Sequence, residues 1–267
     1  MARLRLITIP MSHYCEKARW ALERLGLAYR EERHLQGFHY PRAWWVSRNP
    51  KVPVLIDEGR VIVDSTAILK HLDDYSPPPV RLYPEKMAEC RRVEQLEDLF
   101  DETLGVESRR WFYFHCLPER RMALRVAGQG IPGIERALAP LAYPVMRRFA
   151  AWRLRISASA VTAGLEHSRQ VVRRMDTLLA DGRPFLMGER FSAADLSLAC
   201  MMAPFVLPDE YGIRLPPVAE LPAAMRPTVR EFRETVTGGY VLRLFREHRS
   251  RVAVTVPIMT PIGADHG

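Results

Sequence analysis

The chain has 267 residues and carries 39 Lys and Arg against 31 Asp and Glu, for a formal net charge of +8. That length suits one large domain or two small ones, and no unbroken apolar run nears the roughly 18 residues of a membrane span. Neither the four unpaired-looking cysteines nor the scattered arginines form a disulfide framework, a zinc ribbon or a nucleic-acid motif, so the basic balance reads as a surface that attracts anionic ligands.

The segment Met1–Arg5 lacks the apolar core and cleavage site of a secretory signal, which makes the cytoplasm the expected location. Arg3 to Ile9 alternates as a strand does. From Tyr14 the period changes, and Ala18, Ala21, Leu22 and Leu25 share one helical face up to the stop at Gly26. Leu27 to His34 fits a second strand. Phe38 to Asn49 is aromatic and reads as irregular, since Pro41 and Pro50 oppose a long helix. Val54–Ile56 and Val61–Val63 flank Asp57-Glu58-Gly59-Arg60, a hairpin signal. Ser65 to Tyr75 reads as a helix that ends at Ser76-Pro77-Pro78-Pro79. The order is βαβ, a link, then ββα.

Beyond the prolines the strand signals stop. Pro84 to about His115 reads as a long amphipathic helix, and Thr162 to Leu179 as another. Between them lie the break at Gly128–Gly133 and an apolar, basic segment, Ile134–Ile156, interrupted by Pro140 and Pro144. In the second half, Phe191-Ser192-Ala193-Ala194-Asp195-Leu196 carries the pattern of a capping box with a hydrophobic staple. We expect an α/β domain at 1–77, a linker at 78–86, an all-helical domain at 87–250 with an insertion at about 118–160, and a loosely held tail at 251–267.

Three places in the first domain can hold a small anionic thiol. Ser12, between the first strand and its helix, either caps that helix or also donates to a bound sulfur, where hydroxyl and helix N-terminus together favour the thiolate. The bond Val52-Pro53 precedes a strand, a position where a cis peptide turns backbone groups outward for an extended ligand. Asp64-Ser65 opens a helix. Ser65 is a good N-cap, and the pair suits the ammonium and carboxylate of an α-amino acid. Cys15 is either a second reactive thiol or a buried small hydrophobe. Tyr14 either offers a hydroxyl or packs.

Together these residues resemble the cytosolic glutathione transferase family. Ser12-His13-Tyr14-Cys15 is similar to the Cys-Pro-Tyr-Cys site of glutaredoxins with serine at the nucleophile, as in serine-type bacterial transferases. Lys51-Val52-Pro53 resembles the family's lysine and cis-proline turn, Asp64-Ser65 its acidic-Ser pair, and Ser192–Leu196 its helical-domain motif. The resemblance implies a thioredoxin-like domain with a mixed four-stranded sheet, followed by an all-α domain. It further implies glutathione as co-substrate, no metal, a homodimer and a role in detoxification. Residue by residue, it puts Ser12 at the sulfur, Lys51 at the glycyl carboxylate, Val52 and Pro53 along the cysteinyl backbone, and Asp64 with Ser65 at the γ-glutamyl end. Trp111, Tyr113 and Phe114 are candidate walls for a small apolar electrophile, with plain interhelical core as the alternative.

The expected activity is conjugation of glutathione to an electrophile, or peroxide reduction. The alternatives are a thiol-disulfide reductase using Cys15, or a non-catalytic binder of glutathione or apolar ligands. In the insertion, Ile134, Leu138, Leu141, Val145, Phe149 and Trp152 recur at helical spacing among arginines. Because Pro140 and Pro144 oppose a continuous helix on a membrane surface, a lid over the apolar cleft is the reading we favour.

Overall fold

A computed structural model describes residues 4–249; Arg3, Arg251 and the tail from Val252 lie outside the described residues. Strand β1 (Leu4–Thr8) leads through helix α1 (His13–Arg24) to the parallel β2 (Tyr29–Arg33). Helix α2 (His39–Ser47), strands β3 (Val54–Asp57) and β4 (Arg60–Val63), and helix α3 (Ser65–Asp73) follow. The sheet order is β2-β1-β3-β4, with β3 antiparallel to both neighbours. Glu58 (φ 46°) and Gly59 (φ 91°) both take positive φ, as the two-residue β3–β4 turn requires.

The stretch expected to be irregular holds α2. Pro41 falls in the first turn, where an amide has no intrahelical acceptor to lose, and Pro50 lies beyond the left-handed Arg48 (φ 55°) that closes the helix.

From Met87 the long elements are helical: α4 (Met87–Leu99), a π-helical turn (Phe100–Leu104), α5 (Gly105–Cys116), α6 (Arg120–Ala127), α7 (Gly133–Arg153), α8 (Ala158–Leu179), α9 (Ala193–Val206), α10 (Arg226–Glu234) and α11 (Val236–His248). Helix α9 is apolar around nearly its whole circumference and buried accordingly, packed by α1, α4, α5, α10 and α11. Its capping box forms as expected. Asp195 accepts from the Ser192 amide at 2.7 Å and from the Leu186 amide at 2.7 Å, and the Tyr240 hydroxyl also donates to it.

Against expectation, α7 is one continuous helix that contains both Pro140 and Pro144. Pro144 has no N–H for the Pro140 carbonyl four residues back, and Arg120 Nη2 supplies the missing donor at 2.9 Å. The face of α7 that packs is Glu135, Ala139, Tyr143 and Ala150. The apolar stripe singled out in the sequence faces the other way, with Leu141 82% and Trp152 72% exposed.

Removing the Asp195 carboxylate leaves two buried backbone amides and a tyrosine hydroxyl without their acceptor. We expect Asp195→Ala to lower unfolding stability by about 3 kcal/mol or more, measured by urea titration.

Candidate functional site

Strand register gathers the predicted residues. Ile7 pairs with Val54 and Val54 with Val63. The chain leaving β1 toward Ser12, the Val52-Pro53 turn entering β3 and Asp64 leaving β4 therefore meet at one edge of the sheet, where α1 and α3 both begin. The Val52-Pro53 peptide is cis. The Lys51 amide donates to Asn49 Oδ1 at 3.0 Å, and the lysine side chain is exposed. Ser12 caps α1: its Oγ accepts from the Cys15 amide at 3.2 Å. Arg19 fixes the approach to it by donating to the carbonyls of Ile9 and Pro10, both at 3.1 Å.

The cap of α3 is Asp64 rather than Ser65. Asp64 Oδ1 accepts from the amides of Thr66 (2.9 Å) and Ala67 (3.3 Å), and Ser65 is the buried first residue of the helix. At φ 86°, ψ 138°, Asp64 holds a backbone conformation that side-chain-bearing residues rarely adopt, and such strain gathers at functional sites.

Cys15 is fully buried, and burial pushes its thiol pKa up. That placement denies a disulfide substrate access and runs against the reductase alternative. The Tyr14 hydroxyl donates to the Asp101 carbonyl at 2.8 Å, and burial raises its pKa to about 12. His13 is buried and neutral, its pKa lowered to about 3 chiefly by desolvation, and its Nε2–H donates to the Gly105 carbonyl at 2.9 Å. Gly105 permits this approach, since a Cβ there would stand 2.5 Å from both the Tyr14 hydroxyl and the Met201 sulfur.

Two residues not anticipated from the sequence lie beside Tyr14. Asp101, on the π-helical turn, accepts from Lys17 Nζ at 2.7 Å through Oδ2, while its Oδ1 is buried without a hydrogen-bond partner among the described residues. Desolvation lifts its pKa to about 6, against the opposing pull of Lys17, and Asp64 is close enough to add to the rise. Arg109 lies with its guanidinium 5.6 Å from the Tyr14 ring centre, and its charge also acts on Tyr40 and Tyr113. Its Nε is likewise buried and unpartnered among the described residues. A π-helical turn within a helix is frequent at functional sites, but the amphipathic pattern across 87–116 runs through it without a visible break.

An apolar cavity of about 60 Å³ lies between Met11, the residue before Ser12, with Gln36 and Gly37 on one side, and Tyr113, Tyr143 and Phe149 on the other. Of the three expected wall residues, Tyr113 lines it, its hydroxyl donating to Gln36 Oε1. Trp111 instead packs on Phe205 in the helical core at 5.2 Å between ring centres, and Phe114 packs on His115. Helix α7 does close the cavity, with Tyr143, Met146 and Ala150 and also with the exposed Arg147 and Phe149. Among the described residues no group of three His, Cys, Asp or Glu is placed to hold a metal.

Residues 6–79 match the family described as glutathione S-transferase, N-terminal domain, and residues 158–231 match glutathione S-transferase, C-terminal domain. The chain belongs to the glutathione transferase family. A glutathione S-transferase from Sinorhizobium meliloti has a similar structure, at 18% identity and a TM-score of 0.57, with 96% of each chain covered. One from Rhodospirillum rubrum is similar at 19% identity and 0.57, covering 92% of this chain and 99% of that one. A family member from Pseudomonas fluorescens, solved with two glutathione molecules bound, matches at 17% identity and 0.53 over 90% and 92% of the two chains. No curated protein matches the chain by sequence. The stretch between the two matched regions of this transferase contains α4 to α7, and so the π-helical turn.

The burial of the thiols makes a direct prediction. Cys15, Cys116 and Cys200 are buried and Cys90 is partly exposed. Brief alkylation of the folded protein with iodoacetamide should mark Cys90 alone by peptide mass spectrometry. Early labelling of Cys15 would restore the reductase reading.

Proposed function

We propose that the protein is a glutathione transferase that ionises the glutathione thiol at Ser12 and presents it to a compact apolar electrophile or a peroxide. The observation that carries this reading is the convergence, at one sheet edge, of Ser12, the Val52 turn and the Asp64 cap with the unpartnered carboxylate oxygen of Asp101. These groups complement a tripeptide with a thiol in the middle and charges at both ends. Lys51 meets the glycyl carboxylate, the Val52 main chain pairs with the cysteinyl backbone, and Ser65 and the α3 N-terminus take the γ-glutamyl carboxylate. Asp64 and Asp101 together take its ammonium. The family resemblance extends the reading to a cytoplasmic homodimer.

The thiolate is favoured by the Ser12 hydroxyl, by the N-terminus of α1 and by the Arg109 charge. Lowering the thiol pKa by about two units needs roughly 2.7 kcal/mol, within reach of a charged hydrogen bond plus a helix end. The sulfur then attacks whatever occupies the cavity beside Met11. At about 60 Å³ that space is far below the roughly 300–1,000 Å³ of a pocket for a drug-sized ligand. It selects for a small acceptor. Conjugation is therefore favoured over broad ligand storage, for which the cavity has little room.

The site makes two predictions. Titration of the bound thiolate by ultraviolet difference absorbance should show a higher pKa in Ser12→Ala and a further rise with Arg109→Met; an unchanged pKa in both would remove the proposed activation. Asp101→Asn should weaken glutathione by about tenfold, as expected for a lost charged hydrogen bond, yet leave a deaminated analogue unaffected in calorimetry. In the wild type, ionised Asp101 binds the ammonium, so affinity should be level above pH 6 and fall as pH drops below it, where the carboxylate takes up a proton. The Asp101→Asn variant should lack that fall.

A further inference from the structure

We propose that the outer face of α7, with the adjoining tryptophans of α2, is a docking surface for an anionic lipid bilayer. Ile134, Leu138, Leu141, Val145, Phe149 and Trp152 recur every three or four residues along the 21-residue helix and are all exposed. The stripe is about 30 Å long at 1.5 Å per residue. It continues onto α2: the Phe149 ring lies 5.8 Å from Trp152 and stands edge-on to Tyr40 at 6.0 Å, and Trp44, one turn further along α2, is 53% exposed. Beside it Trp45 is 77% exposed. A contiguous apolar face of this size marks an interaction surface.

Charge says what covers it. Arg136, Arg147, Arg148, Arg153 and Arg155 are all exposed along this segment. Its one carboxylate, Glu135, is turned inward, accepting from the Leu35 amide at 2.7 Å and paired with His34 Nδ1 at 2.6 Å. The sequence from His34 to Ile56, which includes α2, contains no acidic residue and adds the exposed Arg48 and Lys51. None of the α7 arginines forms an ion pair with a described residue. An apolar ridge with Trp, Tyr and Phe along it and cations of one sign around it matches a helix lying in the bilayer interface, with aromatic rings at the headgroup level and guanidinium groups on lipid phosphates. No helix among the described residues is long and apolar enough to cross a membrane, so the association is peripheral. Pro140 and Pro144 do not interrupt the stripe, because neither belongs to it and the helix runs through both.

The test is co-sedimentation of the full chain with vesicles of phosphatidylcholine alone or mixed with phosphatidylglycerol, at low and high ionic strength. We expect binding to the anionic vesicles only, weakened by salt, with tryptophan emission quenched by brominated lipid. R148Q/R153Q should reduce partitioning by at least about tenfold, taking about fivefold per charge, and L141S/V145S/W152S should abolish it. All five side chains are exposed, and unchanged circular dichroism and melting would verify the folds. Should a variant not fold, the lipid, salt and quenching dependence of the wild type decides. Failure to sediment, equal binding to neutral vesicles, or wild-type binding by folded variants would overturn the proposal. Self-association of the protein that the same substitutions remove would assign the face to a second copy instead.

Discussion

Helix α1 is enclosed on all sides, and that enclosure dictates the charge pairing around it. Glu16, Lys17 and Arg19 are consecutive or nearly so, and all are 0% exposed. A charge removed from water at this depth is tolerable only with a partner and further hydrogen bonds. Arg19 donates to Glu16 at 3.2 Å, and each of the three also reaches a neighbour outside the helix. Lys17 bonds Glu97 at 2.9 Å and Asp101 at 2.7 Å in the helical half, and Arg19 bonds Glu31 of β2 at 2.7 Å. Glu16 accepts from the Gly212 amide at 3.0 Å and from Arg249 at 2.7 Å. Deleting Lys17 strands Glu97 and Asp101 without their shared cation, and breaking a buried pair in this way costs about 3–5 kcal/mol in comparable cases.

The same pairs aim the site. Arg19 spans β2 and the Ile9–Pro10 carbonyls, so the link that presents Ser12 is held by a guanidinium that cannot move without unpairing Glu31. Lys17 occupies one oxygen of Asp101 and leaves the other buried without a hydrogen-bond partner among the described residues, while Thr66 bonds Glu97 at 2.9 Å. The polar network that joins the two halves of the molecule is thus continuous with the groups assigned to the γ-glutamyl end.

Much of this arrangement was legible because it is written in local chemistry. Alternation, the Glu58-Gly59 turn and the Ser192–Asp195 box each act over a few residues, and the sheet, the hairpin and α9 followed from them. What escaped depends on partners distant in sequence. Arg120 rescues the carbonyl that Pro144 abandons, so two prolines that argued against a helix sit inside one. The six apolar residues of α7 have the spacing of a core-facing stripe, and spacing cannot say which of two apolar faces packs inward. Trp111, Phe112 and Tyr113 occupy successive positions on α5, and only the position of Phe205 decides that Trp111 belongs to the core while Tyr113 reaches the cavity. The capping role moved one residue, from Ser65 to Asp64, because Asp64 takes a left-handed backbone that no local propensity favours.

The buried Glu135 gives α7 a mechanical character. Its carboxylate grips the chain at His34 and Leu35, immediately before Gln36 and Gly37. Near the middle of α7 the Tyr143 hydroxyl holds the Leu117 carbonyl at 2.7 Å, and beyond its end the Leu154 carbonyl accepts from Arg110 at 3.2 Å. Anchored at three points on two halves of the molecule, α7 behaves as a strut rather than a flap. A force applied to its outer face is delivered to the loop that forms one wall of the cavity, so the volume available to an acceptor and the load on that face are coupled.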